Sequence, residues 1–150
     1  MKSLNNLDGS VDALKVVLAD TYILKIKIQN VHWNAEGEGF IAIHKHLDEQ
    51  YESLSDAIDE IAERIRALGE DAPASMQTFL SLSRIDDREE ASKDIKRGIK
   101  MLADDHENIA SLITEHIAVL EKDNDYGTVD LLTDRIREHD KFAWLLRANL

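Results

Sequence analysis

Two pairs of potential metal ligands lie one helical turn apart within residues 44–63, HKHLDEQYESLSDAIDEIAE. His44 and Asp48 form the first pair, and Asp59 and Glu63 form the second. Imidazole nitrogen and carboxylate oxygen together suit divalent iron, manganese or zinc. Side chains four positions apart lie on the same face of a helix, so both members of a pair can reach one ion. The spacing therefore predicts metal-binding chemistry.

The four side chains form a stripe beside the apolar face of the helix and not opposite it. At about 100° per residue they fall within about 100° of one another, and the apolar residues occupy the adjacent sector. A solvated face usually lies across the helix from the core, so this position favours a surface that another helix covers. Because 30 of the 150 residues are Asp or Glu, chance alignment of exposed carboxylates is the alternative interpretation.

The two pairs are too far apart to bind the same ion within one chain. They are centred about 15 residues, or about 22 Å, apart along the helix axis, whereas metal–ligand bonds are about 2 Å long. An antiparallel copy of the helix, related by a two-fold axis near its midpoint, would bring the first pair opposite the partner's second pair. His32 could fold back from the preceding helix. Each of two equivalent sites would then contain His32, His44 and Asp48 of one chain with Asp59 and Glu63 of the other.

Apolar residues recur with a period near 3.6 and predict four long helices. The predicted ranges are 9–34, about 40–68, about 87–122 and about 128–148. The segment EDAPAS contains the only proline and separates the second helix from the third, and SMQTFLSLS could form a short helix in this connection. The expected fold class is all-α, a ferritin-like four-helix bundle with a short extra helix between helices 2 and 3, in one domain of residues 1–150. A bundle that holds no metal is the alternative.

Polar residues at the predicted helix ends indicate where the helices begin. Asp8 or Ser10 is expected to cap the first helix, and Asp86 or Asp87 is expected to cap the third. The acidic residues 89–90 would favour the positive N-terminal end of the third helix.

Several kinds of site are excluded by residues that the sequence lacks. With no cysteine, the chain forms no disulfide, thiolate nucleophile or Cys-type zinc site. No Glu-x-x-His or His-Glu-x-x-His motif occurs, which argues against an intrachain di-iron centre and against a zinc protease. His46 is predicted to lie at the surface, and His106, His116 and His139 are read as structural or exposed.

The residues NVHWNAEGEGF, followed by HKHLDEQYESLSDAIDEIAERIRALG, resemble the signature region of the Dps family, the bacterial miniferritins (DNA-binding proteins from starved cells). Intervals of 12, 4, 11 and 4 residues between the candidate ligands match the family pattern, and TVDLLTDRIREHDKFAWLLRANL resembles its fourth helix. The resemblance implies a hollow homododecamer with ferroxidase centres at its two-fold interfaces. Such an enzyme oxidises Fe(II), preferably with hydrogen peroxide, stores the ferric mineral, and protects the cell and its DNA from oxidative damage.

The same resemblance assigns roles to individual residues. His32, His44 and Asp48 would bind iron from one subunit, and Asp59 and Glu63 from its two-fold mate. Zinc or manganese could occupy the same ligands. The five positions would thus serve as both the metal site and the catalytic site.

The resemblance also suggests roles for residues outside the centre. Trp33 is a possible radical quencher, with core packing as the other interpretation. Asp125, Asp130 and Asp134 match the spacing of a three-fold pore that attracts cations, with solvated surface acids as the alternative. Glu52 lies on the ligand stripe and could help nucleate mineral.

Charge bears on the possible partners. The net charge is −12, and twelve copies would carry −144. Because nucleic-acid binding depends on Lys and Arg that replace counterions, and the first 14 residues hold a single Lys, direct DNA binding is not expected. A nucleoid-associated, DNA-compacting protein with secondary iron oxidation is the alternative function. No apolar run approaches the ~20 residues of a membrane span, and no secretory signal is visible, so a cytoplasmic location is expected.

Overall fold

The structure is a computed structural model that describes residues 8–87 and 93–150. Its helices are α1 (Asp8–Asn34), α2 (Phe40–Ala67), α3 (Met76–Leu82), α4 (Ile95–Leu120) and α5 (Tyr126–Arg147). Helix α1 packs chiefly on α2, and α4 packs on α5, while contacts between α1 and α4 join the two pairs. The short α3 lies within the long connection and packs on α1. The predicted all-α, ferritin-like four-helix bundle is confirmed.

The core consists of the apolar stripes that the 3.6-residue period predicts. The largest fully buried side chains are Leu14, Leu18, Leu24, Ile28, Leu47, Leu54, Ile61, Ile65, Ile99, Leu102, Ile109 and Ile113. Each buried aliphatic side chain of this size contributes about 1.5–3 kcal/mol to folding. The face of α2 that carries Leu47 and Leu54 is therefore held against the bundle, which leaves its adjacent polar stripe outside.

Helix α4 begins later than the sequence predicts. Its N-cap is Asp94, whose carboxylate accepts hydrogen bonds from the second and third backbone N–H groups of the helix, at 3.0 and 3.4 Å. The predicted caps Asp86 and Asp87 are therefore wrong, and both residues belong to the connection. The acidic residues 89–90 lie outside the described residues. Asp8, the first described residue, is already helical, and Ser10 lies inside α1; the residues before Asp8 lie outside the described part of the chain, so the cap of α1 stays a prediction.

The end of the long connection is held to α1 by a buried carboxylate. Asp20 is fully buried and accepts hydrogen bonds from the Ser83 hydroxyl at 2.9 Å and from the backbone N–H of Arg84 at 2.7 Å. The guanidinium of Arg84 donates two more, at 2.8 and 3.1 Å. The stacked rings of Tyr22 and Phe79, 4.3 Å apart, hold α3 on the same helix. These contacts hold Ser83 and Arg84 against α1, and the residues that follow them up to Asp87 are not helical.

A chain of polar side chains crosses the core between α2, α4 and α5. The imidazoles of His106 and His139 share a hydrogen bond of 2.8 Å between their Nδ1 atoms, and His106 Nε2 lies 3.0 Å from Gln50 Oε1. The Gln50 amide N–H donates to His46 Nε2 at 2.9 Å. His106 and His139 are fully buried, so the structural interpretation of both is confirmed. His46 is only 17% exposed, so its predicted surface position is wrong.

Within residues 8–87 and 93–150, no helix is both long enough and apolar enough to span a bilayer.

Candidate metal centre

The end of α1 and the first turns of α2 place two imidazoles face to face. The ring centroids of His32 and His44 are 3.8 Å apart and the planes differ by 11°. His32 Nδ1–H donates to the backbone carbonyl of His44 at 2.9 Å, and His44 Nδ1–H donates to the carbonyl of His32 at 2.8 Å. Because a carbonyl oxygen only accepts, both Nδ1 atoms carry the proton. Both Nε2 lone pairs are therefore available to a metal, as in metal sites whose histidines are oriented through their other nitrogen.

The turn between the two helices sets this pairing. Gly39 has φ 77° and is the N-cap of α2, a left-handed conformation that glycine adopts without steric cost. Phe40, the first residue of α2, lies 5.1 Å from the His44 ring, centroid to centroid. The backbone N–H of Glu36 donates to the carbonyl of Lys93 at 2.7 Å, which attaches the turn to the start of α4. The turn thus reverses the chain so that residues twelve apart stack.

Asp48 lies one helical turn after His44 and completes an open half-site. Its Oδ1 is 3.9 Å from His32 Nε2. Two ligands bound to one ion at about 2.0–2.2 Å are at most about 4.4 Å apart, so this separation allows both to reach the same ion. The Asp48 side chain is 60% exposed and that of His32 is 16% exposed. The structure therefore places His32 next to both His44 and Asp48.

Asp59 and Glu63 lie on the exposed surface farther along α2. The helical rise separates them from the half-site by about 22 Å. In the described part of the chain, no group of three or more His, Asp or Glu side chains is arranged so that it could hold a metal ion. One chain alone does not unite the five residues, and their meeting across a dimer remains a prediction.

Trp33 and Glu52 both lie at the surface of the single chain. Trp33 is 68% exposed although it follows His32 directly, so its interpretation as a core-packing residue is wrong. Glu52 is exposed on α2 between the two ligand pairs. Both side chains are accessible to a second subunit or to bound ions.

The three acids proposed for a pore do not share one environment. Asp125 is 2% exposed, caps α5 and accepts a hydrogen bond of 2.7 Å from the Arg64 guanidinium. Burial opposes its ionisation, but hydrogen bonding from Thr128 and the Arg64 charge outweigh burial and lower the pKa of Asp125. The Asp125 carboxylate therefore stabilises the subunit itself, because its charge is already paired with that of Arg64. Asp130 and Asp134 are exposed, with Asp134 in a surface ion pair with Arg137, and these two remain as predicted pore residues.

Comparison with known proteins shows the family to which the chain belongs. A family model described as a ferritin-like domain matches residues 11–150. The DNA protection during starvation protein of Helicobacter pylori is 31% identical over 139 residues, which cover 93% of this chain and 96% of that protein. The chain belongs to the Dps family of ferritin-like proteins.

Solved structures of related proteins show the same fold. Antigen TpF1 from Treponema pallidum superposes with a TM-score of 0.93 at 31% identity, over 100% of this chain and 96% of that one. The DPS protein from Vibrio cholerae O1, described as a ferritin-like diiron-carboxylate protein, gives 0.91 at 27% identity, over 97% and 91%. Dps membership supports, in general terms, iron binding, ferroxidase-type oxidoreductase chemistry, iron storage and protection.

Some features of the centre carry no signal in the sequence. The reciprocal histidine bonds end on backbone carbonyls, and the attachment of Glu36 to Lys93 joins residues 57 positions apart. The twelve-residue spacing of His32 and His44 indicates that the two rings could meet, but not which atoms accept their hydrogen bonds. The glycines of the turn show that it is tight, but they do not indicate its contact with α4.

Proposed function

We propose that the chain is a ferroxidase that oxidises Fe(II), preferably with hydrogen peroxide, and stores the ferric product in a hollow homododecamer. The observation that carries the proposal is the reciprocal pairing of His32 and His44, which leaves both Nε2 atoms free as ligands and places His32 Nε2 3.9 Å from Asp48 Oδ1. Neutral imidazoles and a carboxylate form a ligand set suited to Fe(II). The whole chain, residues 1–150, is proposed to form one domain.

The proposed centre lies between two subunits. The half-site of one chain supplies His32, His44 and Asp48, and an antiparallel α2 of a second copy supplies Asp59 and Glu63. A two-fold axis makes two such centres per dimer. Exposure of the acidic pair and of Asp48 in the single chain supports this arrangement, because both surfaces are free to meet a partner.

Iron is the substrate of the proposed reaction. Two Fe(II) ions each give one electron to hydrogen peroxide, whose O–O bond breaks; with two protons the products are two Fe(III) and two water molecules. Because both electrons arrive together, no hydroxyl radical leaves the site. The protein supplies the ligands and holds two ions close to one peroxide. Trp33, exposed beside His32, is proposed to donate an electron to any radical that does form.

Exposed acids are proposed to guide iron into and within the shell. Asp130 and Asp134 lie one turn apart on α5, and three copies around a three-fold axis would form carboxylate rings that attract cations. Glu52 is proposed to nucleate mineral next to the centre. Zinc or manganese would compete for the same five ligands.

DNA compaction is a weaker candidate. A chain of net charge −12 repels phosphates, and protection of DNA would instead follow from removal of iron and peroxide together. Residues 1–7, which hold part of the N-terminal segment, lie outside the described residues. A gel shift at moderate salt distinguishes the two functions, because retardation of DNA would favour direct binding. A cytoplasmic location is part of the proposal.

Rapid-mixing kinetics test the proposed ferroxidase. Anaerobic Fe(II) followed by hydrogen peroxide should give fast ferric absorbance, with about two irons oxidised per peroxide. The double variant His32→Ala/Asp59→Ala should lose the fast phase. The control Glu60→Ala removes the exposed carboxylate next to Asp59 but leaves the ligand stripe intact, and it should react like the parent. A double variant as fast as the parent would refute the assignment.

A further inference from the structure

The turn that joins α1 to α2 is attached to a third element, the start of α4. The backbone N–H of Glu36 donates to the Lys93 carbonyl at 2.7 Å, and Glu36 forms an isolated parallel bridge with Asp94. The Lys93 ammonium lies 3.1 Å from Glu36 Oε1, but the two side chains are 76% and 69% exposed. Exposed ion pairs contribute little. The backbone hydrogen bond is therefore the firm part of this attachment.

A second contact between α4 and α1 lies immediately beside the half-site. A Cβ placed on Gly98 would lie 2.8 Å from Val31 Cγ1 and 3.1 Å from Val31 Cγ2, closer than van der Waals contact allows. Val31 is 4% exposed, and its branched side chain has few alternative rotamers. The absence of a side chain at Gly98 therefore allows α4 to approach α1 at the residue that precedes His32.

The histidine pair has little tolerance for movement of the last turn of α1. Its two hydrogen bonds are 2.8 and 2.9 Å long, and such bonds weaken once donor and acceptor separate beyond about 3.2 Å. The same turn aims His32 Nε2 at Asp48, 3.9 Å away. A shift of a few tenths of an ångström at Val31 would thus weaken the hydrogen bonds that fix the histidine tautomers. It would also change the distance between His32 Nε2 and Asp48.

We propose that Gly98 and the backbone of Lys93 are positioning groups for the half-site. The N-terminal turn of α4 supports the end of α1 and the following turn, and it thereby sets the separation of His32 from His44 and Asp48. None of these groups touches the ion. The proposal rests on the proposed function in one respect, namely that this half-site binds a divalent metal.

Co(II) titration of the assembled protein tests the metal-dependent part of this inference. Co(II) is a redox-stable probe of nitrogen and oxygen ligands, and its visible absorption reports the coordination geometry. Gly98→Ala should weaken Co(II) binding about tenfold or more, the range typical of groups that orient metal ligands, and should change the Co(II) spectrum. Gly98→Ala/Val31→Ala removes the clash and should restore both the affinity and the spectrum.

Two further variants serve as control and backup. Gly9→Ala, whose new Cβ would meet only the Asp123 carboxylate at 3.8 Å, should bind Co(II) like the parent. Val31→Ile enlarges the same contact by one methylene group and should weaken binding less than Gly98→Ala. It keeps the test available should Gly98→Ala fail to fold. A lowered thermal midpoint with unchanged Co(II) affinity and spectrum would show a merely structural role and would overturn the inference.

Two measurements separate this inference from the proposed function. In the first, Co(II) binding by His32→Ala as tight as that of the parent would show that the proposed half-site is wrong. Crystals of metal-free Gly98→Ala still test the positioning role: at least one of the two reciprocal histidine bonds should lengthen beyond hydrogen-bonding distance. Unchanged bonds in those crystals would overturn the inference even where the half-site itself binds metal.

Discussion

His32 and His44 each fix the ring of the other by donating Nδ1–H to the other residue's backbone carbonyl, at 2.9 and 2.8 Å. Metal-ligating histidines commonly need a separate acceptor to select the tautomer. Here each acceptor is the backbone carbonyl of the other histidine, so the two candidate ligands orient each other. No side chain outside the pair accepts these hydrogen bonds, so the relationship depends on the register and spacing of α1 and α2.

Removal of the Asp48 charge should weaken metal binding without affecting the fold. Asp48→Asn keeps the shape of the side chain but replaces an anionic ligand with a neutral one. Because the side chain is 60% exposed, the free energy of unfolding should change by less than about 0.5 kcal/mol, whereas Fe(II) affinity should fall at least about tenfold. Anaerobic calorimetric titration measures the affinity. Glu49→Gln, whose side chain is 77% exposed, is the control, and equal affinities of the two variants would exclude Asp48 as a ligand.

Stability should fall steadily as the pH drops below 6.5. Burial lowers the pKa of His106 to about 3 and lowers the pKa of His139 well below its usual range, with Arg135 adding repulsion to both. Below pH 6.5 these two imidazoles are protonated in the unfolded chain but stay neutral in the folded chain. Protonation therefore favours unfolding until the pH reaches the pKa of the folded state. For His106 alone the loss is about 2 kcal/mol at pH 5, and His139 adds a loss of the same sign.

Thermal unfolding between pH 7.5 and pH 5 measures this effect. His46, which is hydrogen-bonded to Gln50, also faces the pair from α2 and has a pKa lowered by burial, so it contributes in the same direction. His106→Gln/His139→Gln should be less stable at pH 7.5 but should show a flatter pH dependence than the parent. An unchanged slope in this double variant would show that other groups cause the acid sensitivity.

Loss of Arg84 should destabilise the bundle strongly. Arg84→Ala leaves the fully buried Asp20 carboxylate without its guanidinium partner, and removal of one member of a buried pair typically costs about 3–5 kcal/mol. Arg66→Ala breaks an ion pair with Asp71 whose side chains are 59% and 99% exposed, and it should cost less than about 1 kcal/mol. Denaturant unfolding of both variants gives the comparison. Similar losses would mean that the Asp20 contact is not what holds the connection to α1.

Substitutions of the acids at and near the start of α5 should have two different effects: loss of Asp130 and Asp134 should slow iron transport, and loss of Asp125 should lower stability. Asp130→Asn/Asp134→Asn should slow iron uptake into the shell, most clearly at low salt where charge attraction is least screened, and should leave the thermal midpoint nearly unchanged. Asp125→Asn should instead lower the midpoint, because it weakens the α5 cap and the bond to Arg64. Stopped-flow uptake and thermal unfolding measure the two effects, and uptake of the double variant at the parent rate would remove the pore assignment.

The helices of this protein and their buried faces can be predicted from its sequence. Buried residues such as Leu47, Leu54 and Ile61 recur with the helical period, which reveals both the helix and the side on which its ligand stripe lies. The exposure of Trp33 and the ion pair of Asp125 cannot be predicted from the sequence, because both depend on contacts between distant segments, as between Asp125 and Arg64. The start of α4 was misplaced for the same reason, since Asp20 lies more than 60 residues before the segment it holds.

Subunit complementation tests the central claim, a centre shared between two chains, most directly. His32→Ala/His44→Ala subunits lack the imidazoles, Asp59→Ala/Glu63→Ala subunits lack the distal acids, and each assembly alone should lack the fast ferroxidase phase. A mixed dimer would contain one intact centre and one doubly defective centre. Random equal mixing should therefore restore about one quarter of the parent amplitude, as expected for two-fold sites. A mixture that stays inactive after demonstrated co-assembly would contradict the account.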